Sequence, residues 1–436
     1  MEIKIPFHFQ PRKYQLPILQ AMDSGYLRAV WLAHRRAGKD KTMLNLMIKK
    51  MVERVGTYYY LFPTFSQAKR VLWEGSDKEG FRFLDHFPKE LIDGEPNSTE
   101  MKIRLKNGSL FQLIGTDNYE SIRGSNPIGC VFSEFPWQDP RAWDIIRPIL
   151  AENGGWAVFV YTPFGKNHGH ALYEMARFNP QWFVSRMTVD DTGVISKELI
   201  DEERKSGMSE EMIQQEYYLS FEGMQHGAYY ANELRKMDEE KRETLVPHET
   251  GIPVDTFWDI GYSDSTSIWF VQMVGRQLRF IDCLEATGES IAFYAQELQK
   301  KGYVYGNYYF PHDATQHELG TGKTVKESAE TLGLRPIEIV PMVSVQDGIN
   351  ATRLMFSRFW FDQEKCKRGM DALRNYSKDW DERLQQFRSK PRHDWSSHFA
   401  DAIRMCAVGL QERKGIQSEN LLQKRIQRSR HSAVVR

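Results

Sequence analysis

At 436 residues, 41% hydrophobic and 27% charged, the chain can fill two or three packed domains and is too apolar to be a disordered protein. Its 58 basic and 58 acidic residues cancel, so nucleic-acid contact has to come from local basic patches. Four scattered cysteines (Cys130, Cys283, Cys366, Cys406) exclude a disulfide framework or a Cys-x-x-Cys zinc site, and no apolar run reaches signal-peptide or membrane-span length, so a soluble protein of a reducing compartment is expected.

In chain order, Tyr14-Gln15 opens a helix with Leu16, Leu19 and Met22 at helical spacing. An aromatic and an amide just ahead of a phosphate loop can clamp an adenine. From this segment alone, a surface helix with a packed Tyr is the favoured reading. The apolar run Ala29–Leu32 leads into Ala33-His34-Arg35-Arg36-Ala37-Gly38-Lys39-Asp40-Lys41-Thr42 and then into a helical run. A strand, a small-residue loop ending in Gly-Lys and a helix make the setting of a phosphate-binding loop. The match is imperfect: Ala33 replaces the first glycine, and Asp40 stands where Ser or Thr would hold magnesium.

Thr57–Phe62 reads as a buried parallel strand, and Ser66–Trp73 as a helix. Residues 101–115 alternate around Asn107-Gly108, a hairpin signal. Arg123-Gly124 follows, and then the buried run Ile128–Ser133 ends in Glu134. A nucleotide hydrolase keeps its second acidic motif at such a strand end, where Asp helps hold magnesium and Glu polarises the attacking water. Ser133 takes the Asp position. Trp156–Tyr161 is a further strand ending in Thr162-Pro163, where Thr162 could sense a γ-phosphate.

Strand–helix alternation therefore predicts an α/β sheet domain over 1–223, its last part, about 166–223, a helical lid (Lys197–Met212, Gln214–Phe221). Residues 224–252 are expected as a charged linker and 253–412 as a second α/β domain. Residues 413–436 form a basic tail.

The second domain opens with three meandering strands across residues 257–282, then a helix over 290–301 and a strand, Tyr308–Phe310, ending near Asp313. Asp259 lies on the first strand and Asp401 on a C-terminal helix in His398-x-x-Asp401. Three such acids can bind two divalent metals for phosphodiester cleavage, and hard oxygen ligands favour Mg²⁺ or Mn²⁺. Acids also cap strands and helices as a matter of course. Asp264, Asp282 and Glu285 are weaker candidates. Gly320-Thr321-Gly322-Lys323-Thr324 imitates a phosphate loop, but His317 stands at the leading position; it reads as a flexible loop whose Lys323 can touch DNA phosphate.

In this order the motifs resemble the large terminase subunit of tailed bacteriophages, the motor that packages DNA: Tyr14-Gln15, Arg35-Arg36-Ala37-Gly38-Lys39, Arg123-Gly124, Ser133-Glu134, Thr162-Pro163, then Asp259, Asp313 and Asp401. The resemblance covers about residues 7–410. It implies an N-terminal P-loop ATPase domain of the ASCE type and a C-terminal RNase H-like nuclease domain. ATP and Mg²⁺ would serve the first site, and two Mg²⁺ or Mn²⁺ the second. Lys39 would hold the β/γ-phosphates, Arg35 or Arg36 would sense them, and Glu134 would orient the water. Thr162 would couple hydrolysis to movement, and Arg123 would act on a neighbouring subunit's nucleotide.

The resemblance also implies double-stranded DNA, a portal protein and a small terminase subunit as partners, a homo-oligomeric ring on the procapsid, and a place in the host cytoplasm with no membrane contact. Two departures remain. Asp40 and Ser133 could have exchanged a carboxylate and a hydroxyl around one magnesium, or Thr42 could supply the hydroxyl while Asp40 caps the helix. A helicase or repair ATPase, or a binding protein with a decayed ATPase, are the alternatives; the C-terminal acids speak against the first.

Overall fold

The computed structural model describes residues 9–222, 227–261, 265–317, 322–381 and 386–411. Asp264, Gly320, Thr321 and the basic tail lie outside them. The chain divides into two compact units at His226/Gly227.

The first unit is built on a seven-stranded sheet in the order β3-β4-β2-β5-β6-β1-β7. Its strands are β1 (Arg28–Ala33), β2 (Thr57–Phe62), β3 (Lys102–Arg104), β4 (Leu110–Gly115), β5 (Pro127–Ser133), β6 (Trp156–Tyr161) and β7 (Trp182–Met187). All neighbours are parallel except the hairpin β3–β4. Its turn carries Gly108 at φ 96°, the left-handed geometry that the Asn-Gly signal anticipates. Because the inner strands are covered on both faces, they read as continuous apolar runs. Alternation still sorts them. Trp31, Tyr58, Tyr60, Val131 and Val158 enter the core on one face, and Val30, Leu32, Tyr59, Phe132 and Phe159 that on the other. Each fully buried aliphatic or aromatic side chain contributes about 1.5–3 kcal/mol. β6 stands between β1 and β5, the added-strand order of an ASCE-type ATPase.

Two sequence expectations need correction in this unit. The stretch expected as a helical lid, 166–223, begins with a helix (His168–Arg177) and with β7, which pairs with β1 and so belongs to the main sheet. Alternation in Trp182–Met187 is weak because β7 is an edge strand, half covered. The charged helices are also shorter than expected, Lys197–Lys205 and Glu210–Glu216; Gly207 at φ 101° breaks them and Ser209 caps the second.

The second unit carries a seven-stranded sheet, β13-β12-β9-β10-β11-β14-β8. Here β8 is Glu243–Thr244, β9 Val254–Asp259, β10 Ser265–Val274, β11 Gln277–Thr287, β12 Tyr305–Phe310, β13 Ile337–Ile339 and β14 Phe359–Asp362. β9, β10 and β11 form the expected antiparallel meander, and β12 returns parallel to β9. This is the RNase H-like order. A separate hairpin joins Lys378–Asp381 to Gln386–Pro391.

The helix at 397–411 buries Phe399, Ile403, Cys406 and Ala407, a 3.6-period stripe, in the core with Trp269 and Phe257. The Trp269 indole N–H donates to the Phe399 carbonyl at 3.0 Å. The expected linker 224–252 is largely part of this unit. Helix Ala231–Glu239 buries Leu234 and Met237, and β8 pairs with β14. Its charges occupy the outer face of an amphipathic helix, which composition alone does not separate from a linker.

Candidate active sites

The loop after β1 turns through Arg36 (φ 71°) and Gly38 (φ 80°) into helix Lys39–Glu53. Both residues sit in the left-handed region, where glycine is at ease and arginine is uncommon. Tyr14 Oη and Gln15 Nε2 both donate to the Ala37 carbonyl, at 2.9 and 3.0 Å. Gln15 Oε1 accepts the Arg12 N–H at 2.9 Å. Tyr14 and Gln15 are thus pins of the loop, and both ends of the Gln15 amide are engaged there, not left free to read a base.

The Lys39 ammonium donates to the Ala33 carbonyl at 3.1 Å and to Thr162 Oγ1 at 2.9 Å. It also lies 3.7 Å from Glu134 Oε1. Residues from β1, the loop helix and the ends of β5 and β6 therefore converge on one point, because parallel strands deliver their C-terminal ends to one edge. Glu134 adopts φ 57°, ψ 46°, a strained non-glycine conformation that turns its carboxylate back to the loop. Burial raises its pKa above the usual carboxylate range; Lys39 opposes this, and Asp40 and Glu216 add to it.

The two departures in sequence meet in space. Ser133 Oγ donates to Asp40 Oδ1 at 2.6 Å. Tyr60 Oη donates to the same oxygen at 2.8 Å. Thr42 Oγ1 instead donates to the Gly38 carbonyl one helical turn back, at 2.9 Å, and is buried. Asp40 and Ser133 thus share one spot, while the Thr42 hydroxyl gives its proton to the helix backbone. Lys41 is drawn aside to Asp77 at 2.7 Å.

Arg35 and Arg36 are exposed; the Arg35 N–H donates to the Glu216 carbonyl at 3.0 Å. Arg123 is exposed at the end of the turn Thr116–Ile122 and pairs with Glu120. Sequence reasoning missed His34, whose buried ring bonds the Arg35 carbonyl and Thr192 Oγ1, each at 2.6 Å. It also missed Tyr60, which reads as one more core aromatic in the run Tyr58-Tyr59-Tyr60.

In the second unit, Asp259 ends β9, and His398 Nδ1 lies 3.6 Å from its Oδ2. Burial lifts Asp259 to about 6; His398 lowers it and the nearby Asp401 carboxylate raises it further. Asp401 follows His398 by three residues, so both lie on one helix face. Asp401 is also paired with Arg404, a buried cation that no motif singles out.

Asp313 is not gathered with this pair. It lies exposed in the turn His312–Thr315 that follows β12. Since Tyr309 pairs with Phe257 in parallel register, β12 and β9 end on the same sheet edge, and Asp313 stands there beside the pair without joining it. Among the described residues, no group of three or more His, Cys, Asp or Glu is close enough to hold a metal ion. The expected three-acid cluster is therefore a pair plus an edge residue, and Asp259 and Asp401 alone do not make a two-metal ligand set.

Asp282 and Glu285 have other work. Asp282 bonds Lys301 at 2.6 Å and Tyr303 Oη at 3.1 Å, and Glu285 bonds Arg368 at 2.8 Å. Lys323 is exposed, one residue before Thr324, which caps helix Val325–Thr331. Among the described residues, no helix is long and apolar enough to cross a membrane.

A phosphate-loop sheet of added-strand order, followed by an RNase H-like sheet with acids at its edge, defines a class: a nucleotide-hydrolase fold joined to a nuclease fold. Within that class the chain is similar in sequence to a phage large terminase subunit. It is 26% identical over 428 residues to the terminase large subunit of Escherichia phage T5, covering 90% of this chain and 89% of that protein. No family model matches. Among solved structures, the large terminase of a thermophilic bacteriophage in complex with ADP is similar at 15% identity and TM-score 0.42, over 90% of this chain and 98% of that one. The ATPase domain of a Thermus phage large terminase is similar at 18% identity and TM-score 0.41, over 49% of this chain and 94% of that one. The nuclease domain of the phage P22 large terminase is similar at 17% identity and TM-score 0.30, over 38% of this chain and 86% of that one.

Proposed function

We propose that the chain is the motor subunit of a phage DNA-packaging machine. Its first unit hydrolyses ATP to drive double-stranded DNA into a procapsid, and its second cuts concatemeric DNA at the start and end of packaging. The observation that carries this is the meeting of Lys39, Thr162 and Glu134 at the phosphate loop, with Lys39 2.9 Å from Thr162 and 3.7 Å from Glu134, in a chain whose sequence kinship to a terminase spans both units.

Lys39 binds the β/γ-phosphates with the loop N–H groups and the N-terminus of its helix. Arg35 or Arg36, exposed on that loop, senses them. To bind phosphate, Lys39 must share or give up its hold on Thr162, which follows β6; the state of the nucleotide is thereby felt at a strand end. Glu134, unpaired from Lys39, accepts a proton from the water it orients. Asp40, with Ser133 beside it, would hold a magnesium ion, which would neutralise phosphate charge when bound. Arg123, exposed and paired with Glu120, would exchange that partner for a neighbouring subunit's nucleotide in a homo-oligomeric ring. The portal, the small terminase subunit and a cytoplasmic setting follow from the same reading.

For the second unit, Asp259, Asp313 and Asp401 are the proposed nuclease acids, with Lys323 on DNA phosphate. Asp313 stands apart from the other two, in the turn after β12. The test is ATP turnover and Mg²⁺- or Mn²⁺-dependent plasmid cleavage by the purified chain. Glu134→Ala is expected to lower turnover by about 10²–10⁴-fold, and Asp259→Ala to abolish cleavage. A wild-type chain with neither activity, or variants as active as wild type, would sink the reading.

A further inference from the structure

The Asp40 carboxylate is held by a residue with no place in the phosphate-loop motif. Tyr60 lies on β2, buried, its ring stacked on Phe62 at 5.4 Å between centroids and 22° between planes. Its hydroxyl donates to Asp40 Oδ1 at 2.8 Å, and Ser133 Oγ reaches the same oxygen at 2.6 Å. Two donors from two different strands on one oxygen fix both the position and the rotation of the carboxylate. Both donors are neutral, so the charge that would attract a dication is oriented but not cancelled. A carboxylate one residue after the loop lysine is longer than the Ser or Thr it replaces, and so has more conformations to restrict. The aromatic ring is what keeps the hydroxyl in place, since stacking on Phe62 leaves it little freedom.

Resting on the ATPase reading above, we propose that Tyr60 is the positioning residue of the magnesium shell: it presets Asp40 so that the second carboxylate oxygen faces the cation. Tyr60 acts through Asp40.

The test is the ratio of ADP affinities measured by calorimetry with Mg²⁺ and with EDTA, on the full chain and on Tyr60→Phe, which keeps the stacked ring. Removal of such an outer partner typically costs about 10–100-fold in metal affinity. The ratio is therefore expected to fall at least about ten-fold, with the affinity in EDTA unchanged; a purely structural role would move both affinities together. As a second variant, Asp40→Asn should lower the ratio by itself, and adding Tyr60→Phe to it should change nothing further. An unchanged ratio in Tyr60→Phe, or a further drop in the double variant, overturns the proposal. Failure of the underlying reading looks different: the wild-type chain would then bind ADP without any magnesium dependence, or not at all.

Discussion

At position 40 a carboxylate replaces the hydroxyl that a phosphate loop ordinarily offers, and at position 133 a hydroxyl replaces the usual carboxylate. Each substitution alone looks like damage. The 2.6 Å bond between them makes them one unit; on the proposed reading the charge of a magnesium shell is kept and its source moves from the end of β5 to the loop helix. Asp40→Ser and Ser133→Asp should therefore each lower ATP turnover, and the double variant should recover part of the loss. Simple addition of the two losses would contradict the exchange.

A second residue-scale consequence concerns Asp371, on helix Lys367–Asn375. Burial raises its carboxyl to about 6, against the pull of Arg368, Lys367 and Arg374. The folded chain thus binds this proton more tightly than the unfolded chain does. The stability contributed is present below the unfolded value near 3.8 and is lost as pH rises through about 6. Asp371→Asn should therefore raise stability above pH 6 by on the order of 2–3 kcal/mol, with the gain fading by about pH 4 in denaturant titrations. A pH-independent difference would contradict that assignment.

At the scale of elements, much was legible because local signals and tertiary fate agreed. Pro127–Ser133 is buried throughout because it is central in a parallel sheet. Asn107-Gly108 makes its hairpin, and the meander β9–β11 appears where alternation places it. What failed did so for physical reasons. β7 is an edge strand and so lacks a clean pattern, and Ala231–Glu239 is amphipathic with only Leu234 and Met237 inside. The loop lysine, the strand-end Glu134 and Thr162 were readable from spacing. The pins Tyr14 and Gln15, the His34–Thr192 bond and the Tyr60 hydroxyl were not, because each depends on which way a side chain points after packing.

One element contact gives a sharp test. Gly369, on helix Lys367–Asn375, lies against the Trp269 indole, and a Cβ there would stand 2.1 Å from the ring. Trp269 is itself fixed by its bond to the Phe399 carbonyl on the helix that carries His398 and Asp401. Gly369→Ala should cost about 1–3 kcal/mol by overpacking, read as a lowered midpoint in urea with the slope unchanged. A neutral Gly369→Ala would mean that the helix moves away freely and that Trp269 does not set its approach.

At the scale of the whole molecule, on the proposed reading the chain holds two chemistries in two units, each with its own sheet, core and edge acids. The first site is gathered around Lys39. The second has Asp259 and Asp401 together and Asp313 at the same edge, so Asp313 is the residue on which the nuclease assignment is most exposed. The central claim is that the two sites are separate and both active. The most direct measurement is ATP turnover and DNA cleavage on one preparation, for the wild-type chain, Lys39→Ala and Asp313→Ala. The account predicts that Lys39→Ala loses turnover and still cleaves, and that Asp313→Ala loses cleavage and still turns over ATP. Asp313→Ala cleaving at the wild-type rate, or either variant losing both activities while folded, would contradict it.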